Sequence, residues 1–156
     1  VSLPRRLQIS MSQKIQKLAD KSGKEINTSE IWKIFEDNFL IPRKGFSYIS
    51  HNSSSQDEVH HLELKMIIDE KEVTINGSGN GPIDSFINGL SKELKTVIKV
   101  SDYHQSAISS GSDAKAAAYI ELEQDGRTNW GVGINPNTTR ASFEAIIVGL
   151  SKLNNS

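Results

Sequence analysis

Cysteine is missing from all 156 residues, which excludes disulfides and thiolate metal sites. Its absence is compatible with a reducing compartment, and a cytoplasmic protein is expected. Long apolar runs are missing too. None approaches the ~18 residues of a membrane-spanning helix, and no secretory signal stands at the start. The first residue is Val1 rather than Met, so a piece of a longer chain is expected. An excess of either charge is lacking, since 18 Lys/Arg face 19 Asp/Glu for a net −1. The balance is uneven. Residues 1–45 carry nine Lys/Arg and five Asp/Glu, giving +4, and residues 46–156 carry nine and fourteen, giving −5. No concentrated basic face for nucleic acid is expected from that pattern. Also absent are the Gly-x-Gly-x-x-Gly of dinucleotide folds, a glycine loop followed by Lys-Ser/Thr as in a P-loop, and the Gly-x-Ser-x-Gly of a nucleophile elbow. No catalytic residue is assigned.

What is present is one glycine-rich stretch, Ile75-Asn76-Gly77-Ser78-Gly79-Asn80-Gly81-Pro82-Ile83-Asp84. The strand-like Val73-Thr74-Ile75 enters it. A helical pattern of Ile83, Phe86, Ile87, Leu90 and Leu94 leaves it. Pro82 suits the first turn of a helix, where a missing N–H costs nothing. The stretch predicts a strand, a tight glycine turn and a helix N-terminus facing open space. Free amides and the positive end of the helix dipole favour an anion there. A plain strand–helix connection accounts for the same residues without a ligand.

Around that stretch the chain reads in order. Leu3-Pro4-Arg5-Arg6 is an extended lead-in. Met11, Ile15, Leu18 and Ala19 share a helical face, with Gly23 as its stop. Asn27 and Glu30 have capping-box spacing and open a second helix that turns Ile31, Phe35 and Phe39 inward and ends before Pro42. This hairpin is too small for a good core. Trp32 and Phe39 either dock it elsewhere or fill the hairpin itself. From Phe46 the period becomes two, and Phe46, Tyr48 and Ser50 alternate with Ser47 and Ile49. Residues 52–57 read as a polar, mobile loop. Leu62, Leu64, Met66 and Ile68 mark a half-buried strand. His60 and His61, adjacent on it, face opposite ways and are read as surface histidines, not a metal pair.

The second half repeats this plan. Val97 to Ile108 is extended, residues 109–113 form a loop, and Ala114 to Glu123 reads as a strand despite the helical propensity of its alanines. Asp125-Gly126 marks a hairpin, Trp130 and Val132 share a strand face, and Asn135-Pro136-Asn137 caps a last helix. Asp113 and Glu121 are read as solvated positions. Each half is thus three strands and a helix, an architectural repeat with little residue identity.

Four ordered motifs carry a family resemblance: Gly77-Ser78-Gly79-Asn80-Gly81-Pro82-Ile83-Asp84, Asp102-Tyr103, the run from Ser110 to Tyr119, and Trp130-Gly131-Val132-Gly133-Ile134. Together they resemble the C-terminal regulatory domain of 2-isopropylmalate synthases, the leucine-sensing dimerisation module, over residues 46–153. Residues 3–9 and the Glu30-x-Trp32 helix resemble the linker subdomains of the same enzymes. The resemblance implies an α+β fold of two β-β-β-α units about a pseudo-two-fold axis, over 46–156, preceded by a helical linker subdomain over 1–45. It implies L-leucine as effector, a homodimer, and a catalytic barrel that uses a divalent metal to condense acetyl-CoA with 2-oxoisovalerate. Nothing in this sequence resembles that barrel or its His-x-His motif. The chain alone is therefore expected to be inactive, with no cofactor, no nucleic-acid partner and no membrane partner.

A free amino acid needs an anion site, a cation site and an apolar slot. The amides of Gly79, Asn80 and Gly81, next to Pro82, suit the carboxylate. Main-chain carbonyls, Asn80 or Asp84 suit the ammonium. By the resemblance, Ile83, Val100, Tyr103, Ala107, Ala114, Ala116 and Ile134 surround the side chain, and Ser106 replaces a histidine common in the relatives. The alternatives are the isoleucine-sensing module of citramalate synthase and a dimerisation domain with no ligand.

Overall fold

The computed structural model describes residues 3–108 and 111–153. Ser110, the first residue of the third motif, lies outside them. The chain opens with helices α1 (Arg5–Ser22) and α2 (Thr28–Phe35). Two units follow: β1 (Ser47–Gln56), β2 (Val59–Ile68), β3 (Lys71–Gly79) and α3 (Pro82–Leu94), then β4 (Lys99–Ala107), β5 (Ala116–Gln124), β6 (Arg127–Asn135) and α4 (Thr138–Leu153). Each unit forms its own three-stranded antiparallel sheet, in the orders β1-β2-β3 and β4-β5-β6. The expected α+β fold of two β-β-β-α units behind a helical region is therefore present.

Local chemistry explains most boundaries. Gly23 ends α1 at φ +68°, a left-handed position where a side chain would be strained. The Asn27 side chain accepts from Glu30 N–H, and the Glu30 side chain accepts from Asn27 N–H, a complete capping box. The turns Asp57-Glu58, Asp69-Glu70 and Asp125-Gly126 each put two successive residues at positive φ. That geometry matches the right-handed twist of the flanking strands.

Three expectations need correction. Arg5 and Arg6 are helical, not extended. Pro4 stands at the cap position with φ −54°, and its carbonyl accepts from Gln8 N–H. Residues 52–56 belong to β1, not to a loop. Their backbone pairs with β2 through Gln56↔Val59, while both faces meet water, so no apolar alternation betrays the strand. Gly77 and Gly79 lie in β3, paired with Leu62 and His60, and only Asn80 and Gly81 join strand to helix.

Gly77 is small because α3 crosses it. A Cβ there would sit 1.9 Å from the Ser85 carbonyl oxygen and 2.8 Å from the Gly89 nitrogen. Gly133 repeats this on α4, against the Ala141 oxygen and the Ala145 nitrogen. Strand, helix and contact points all recur 56 positions later, which is the pseudo-symmetry in atomic form. The first strands repeat a bulge as well, Ile49 being the extra residue between Tyr48 and Ser50, and Ser101 between Val100 and Asp102.

One core joins the two units. It gathers Leu62, Leu64, Met66 and Ile75 with Phe86, Leu90, Ala118, Ile120, Leu122, Phe143, Ile146 and Leu150. Phe86 meets Phe143 edge-on at 5.3 Å between centroids. The outer sheet faces differ. That of β1-β2-β3 is polar, and β2 alternates buried and exposed. β5 is buried on both sides, because Ala117, Tyr119, Trp130 and Val132 pack against Leu7, Met11, Phe35 and Phe39. Phe39 thus docks the helices on the second sheet, from a π-helical turn over Glu36–Leu40, whereas Trp32 is 52% exposed.

Candidate functional site

A cleft of about 700 Å³ opens between the tip of α3 and strand β4, within the size range of small-molecule pockets. Asn80, Gly81, Pro82, Ile83 and Asp84 form one wall, and Val100 and Tyr103 form the other. Ile87 and Ile98 add apolar surface, while Asn88 and Lys99 stand among the polar lining. A smaller hollow of about 160 Å³ shares Pro82, Ile83 and Tyr103 and reaches Gln105, Thr138, Thr139 and Ser142 at the start of α4. The two hollows meet near the approach of the two helix tips.

The electrostatics differ from a bare helix N-terminus. Asn80 N–H donates to Asp84 Oδ2 at 2.9 Å, so one of the three amides assigned to a carboxylate is already engaged. The chain supplies its own anion at that tip, stabilised by the helix dipole. Asp84 is exposed and offers its remaining lone pairs to a cation. Gly79 ends β3 against the same carboxylate, since a Cβ there would meet Asp84 Oδ2 at 2.3 Å.

Of the sequence-assigned residues, the fold brings Asn80 to Asp84, Val100 and Tyr103 together. Ala107 and Ala116 are cross-strand partners on the sheet face that carries Tyr103 and Gln105, outside the lining of either hollow. Ala114 is exposed and precedes β5. Ile134 pairs with Ala117 and packs with the Phe39–Trp130 cluster, on the opposite face of the sheet from Ala116. Sequence reading missed Ile87 and Asn88, one helical turn beyond Ile83 and Asp84. It also missed Thr138, Thr139 and Ser142, which only the pseudo-symmetric approach of α4 brings to Tyr103.

The counterpart of the cleft, between α4 and β1, is filled by the protein. Arg140, at the position matching Asp84, lies 3.8 Å over the Tyr48 ring. His51, matching Tyr103, packs edge-on to Phe143 at 5.0 Å and shares a 2.8 Å hydrogen bond with the Tyr48 hydroxyl. Burial, then Arg140 and His60, hold the His51 pKa below its ordinary value. One of two equivalent hollows is therefore open and the other closed.

Elsewhere, His60 and His61 do face opposite ways, toward Ser85 and Ser78. Glu121 is not solvated, being only 6% exposed and capped by Arg6 at 2.8 Å. Desolvation raises its pKa, partly offset by the Arg6 charge.

The profile of the LeuA allosteric (dimerisation) domain family matches residues 25–154. The chain belongs to that family. It is 36% identical to the 2-isopropylmalate synthase of Ralstonia pickettii, over 98% of the chain and 27% of the relative. It is 38% identical to that of Thermobifida fusca, over the whole chain and 27% of the relative. For Mycobacterium ulcerans the figures are 37%, 97% and 28%. This LeuA-type domain thus spans about a quarter of the length of the curated relatives it matches. Among its described residues no helix is long and apolar enough to cross a membrane.

Proposed function

We propose that this chain is the effector-binding, dimerising part of a 2-isopropylmalate synthase and that it binds L-leucine in the cleft between α3 and β4. The carrying observation is that one of two equivalent hollows is open and lined by both apolar and charged groups. An isobutyl group fits against Ile83, Ile87, Val100 and Tyr103, a burial worth about 2–3 kcal/mol. The ammonium is assigned to Asp84. The carboxylate is assigned to the amides about Gly81 and, across the cleft, to Lys99. Ala107, Ala114 and Ala116 are assigned to the rim rather than the floor. Condensation of acetyl-CoA with 2-oxoisovalerate, and the divalent metal it uses, belong in this reading to the remaining length seen in the relatives. Feedback inhibition then arises when leucine prefers one arrangement of the two parts.

Calorimetry on the 156-residue chain tests the reading. Saturable leucine heat is expected, weaker for isoleucine and valine, and lost in Tyr103→Ala and Asp84→Asn. Sedimentation should give a dimer. Tighter isoleucine binding points to the citramalate synthase module. A folded dimer that gives no heat with any of the three amino acids refutes effector binding.

A further inference from the structure

The bulge residue Ser101 stands between two cleft residues, Val100 and Tyr103. Its carbonyl accepts from Arg6 of α1 at 3.2 Å. The same guanidinium nitrogen lies 2.8 Å from Glu121 Oε1 and 3.8 Å from Asp102 Oδ2. The Glu121 contact is a close ion pair without the alignment of a hydrogen bond. Asp102 is itself shared. Its Oδ1 accepts from Tyr103 N–H at 3.0 Å and lies 3.0 Å from His104 Nε2. One arginine therefore reaches, from the far side of the sheet, the backbone that sets Val100 and Tyr103 in the cleft. Among the described residues, no arginine clasps the equivalent bulge in β1. Its extra residue, Ile49, is 42% exposed.

We propose that Arg6 is a positioning residue that couples the cleft to α1 by clasping the Ser101 bulge. The inference rests on the effector reading above and names how that site is wired. Bulges re-aim side chains and bend the strand that carries them. A ligand that draws Val100 and Tyr103 toward α3 moves Ser101 and Asp102, and the guanidinium then redistributes between Asp102 and Glu121. A shared cation between two carboxylates is a two-position element, which a coupling route requires. Arg6 takes no part in lining the cleft, so binding and transmission are separable.

Amide hydrogen exchange along α1 provides the test, with and without leucine, in the wild-type chain and in Arg6→Gln. In the wild type, leucine should change α1 exchange by about tenfold. Arg6→Gln should bind leucine within about threefold of wild type, yet show no change in α1. Arg6→Lys, which keeps the charge but not the fork, should respond only in part. A persisting α1 response in Arg6→Gln overturns the proposal, as does a large loss of leucine affinity. A ligand-free arm keeps the two readings apart. Val100→Trp fills the cleft side of the bulge. It should alter α1 exchange when Arg6 is present but not in the Arg6→Gln background, scored as a double-mutant cycle. Absence of that coupling refutes the clasp whatever leucine does. Absence of leucine binding with the coupling intact refutes the effector reading alone.

Discussion

Two glycines of the same stretch should respond oppositely to one added methyl. In Gly77→Ala the new Cβ would fall 1.9 Å from the Ser85 oxygen, 2.8 Å from the Gly89 nitrogen and 3.0 Å from the Gly89 Cα. All three are backbone atoms of α3, so no rotamer change relieves the contact. The helix must lift from the sheet, and Phe86, Ile87 and Leu90, which lie in the shared core, must lift with it. Overpacking of this kind costs about 1–3 kcal/mol, and backbone partners place it at or above the upper end. A chain of this size loses about 2–4 °C per kcal/mol, so the midpoint should fall by about 6–12 °C. Gly81→Ala is the control. Nothing lies within 4 Å of its Cβ, and its φ of −171° suits any residue. Its midpoint should hold or rise slightly, because alanine restricts the unfolded chain. Thermal unfolding followed by circular dichroism measures both. A Gly77→Ala midpoint within about 2 °C of wild type, less than 1 kcal/mol costs a chain of this size, would show that the strand–helix contact is soft and that the glycine is not there for packing.

Two other perturbations follow from the core and the closed hollow. Phe39→Ala removes the fully buried anchor between the helices and the second sheet, at a cost of about 3–5 kcal/mol. Limited proteolysis should then cut before Phe46 while the two units remain intact; an unchanged digestion pattern would refute the docking role. His51 has a lowered folded pKa, so below its ordinary value near 6.5 the unfolded chain takes up a proton that the folded chain refuses. Stability should therefore fall as pH drops from about 7.5 to about 5.5, and fall less in His51→Gln. Parallel pH profiles for the two proteins would count against this assignment.

The duplicated fold is legible because its signals are local. The capping box at Asn27, the hairpin turn at Asp125-Gly126 and the alternation from Leu62 to Ile68 each act within a few residues. The strand at 52–56 is illegible for an equally physical reason. Its side chains meet water on both faces, so only the backbone ladder with β2 defines it. The glycines at 77 and 79 resemble a turn because sequence cannot distinguish a need for positive φ from a need for closeness. Here the need is closeness. The cleft is half legible. Its α3 wall is contiguous in sequence, Tyr103 belongs to a family motif, and Val100 comes with the wider resemblance. Thr138, Thr139 and Ser142 arrive through tertiary approach, which no local pattern encodes. Ile134 comes to the cleft with the family resemblance alone; a period of two puts it on the face of Trp130 and Val132, where it packs in the structure.

Duplication gives two hollows and two outer sheet faces, and the sequence treats each pair unequally. Around β1, the hollow is closed by Tyr48, His51 and Arg140, and the outer sheet face is left polar. Around β4, the hollow stays open, and the outer sheet face is covered by α1, α2 and the π-helical turn. Strand β4 is where both differences meet. Its inner residues Val100 and Tyr103 face the cleft, while Arg6 reaches Ser101 and Asp102, and Ser106 Oγ donates to the Tyr119 hydroxyl at 3.5 Å. A single extended strand therefore separates the proposed leucine site from the helices that precede it. In the proposed reading a signal needs to cross only the thickness of one sheet, at a bulge where the ladder is locally disrupted and the strand bends.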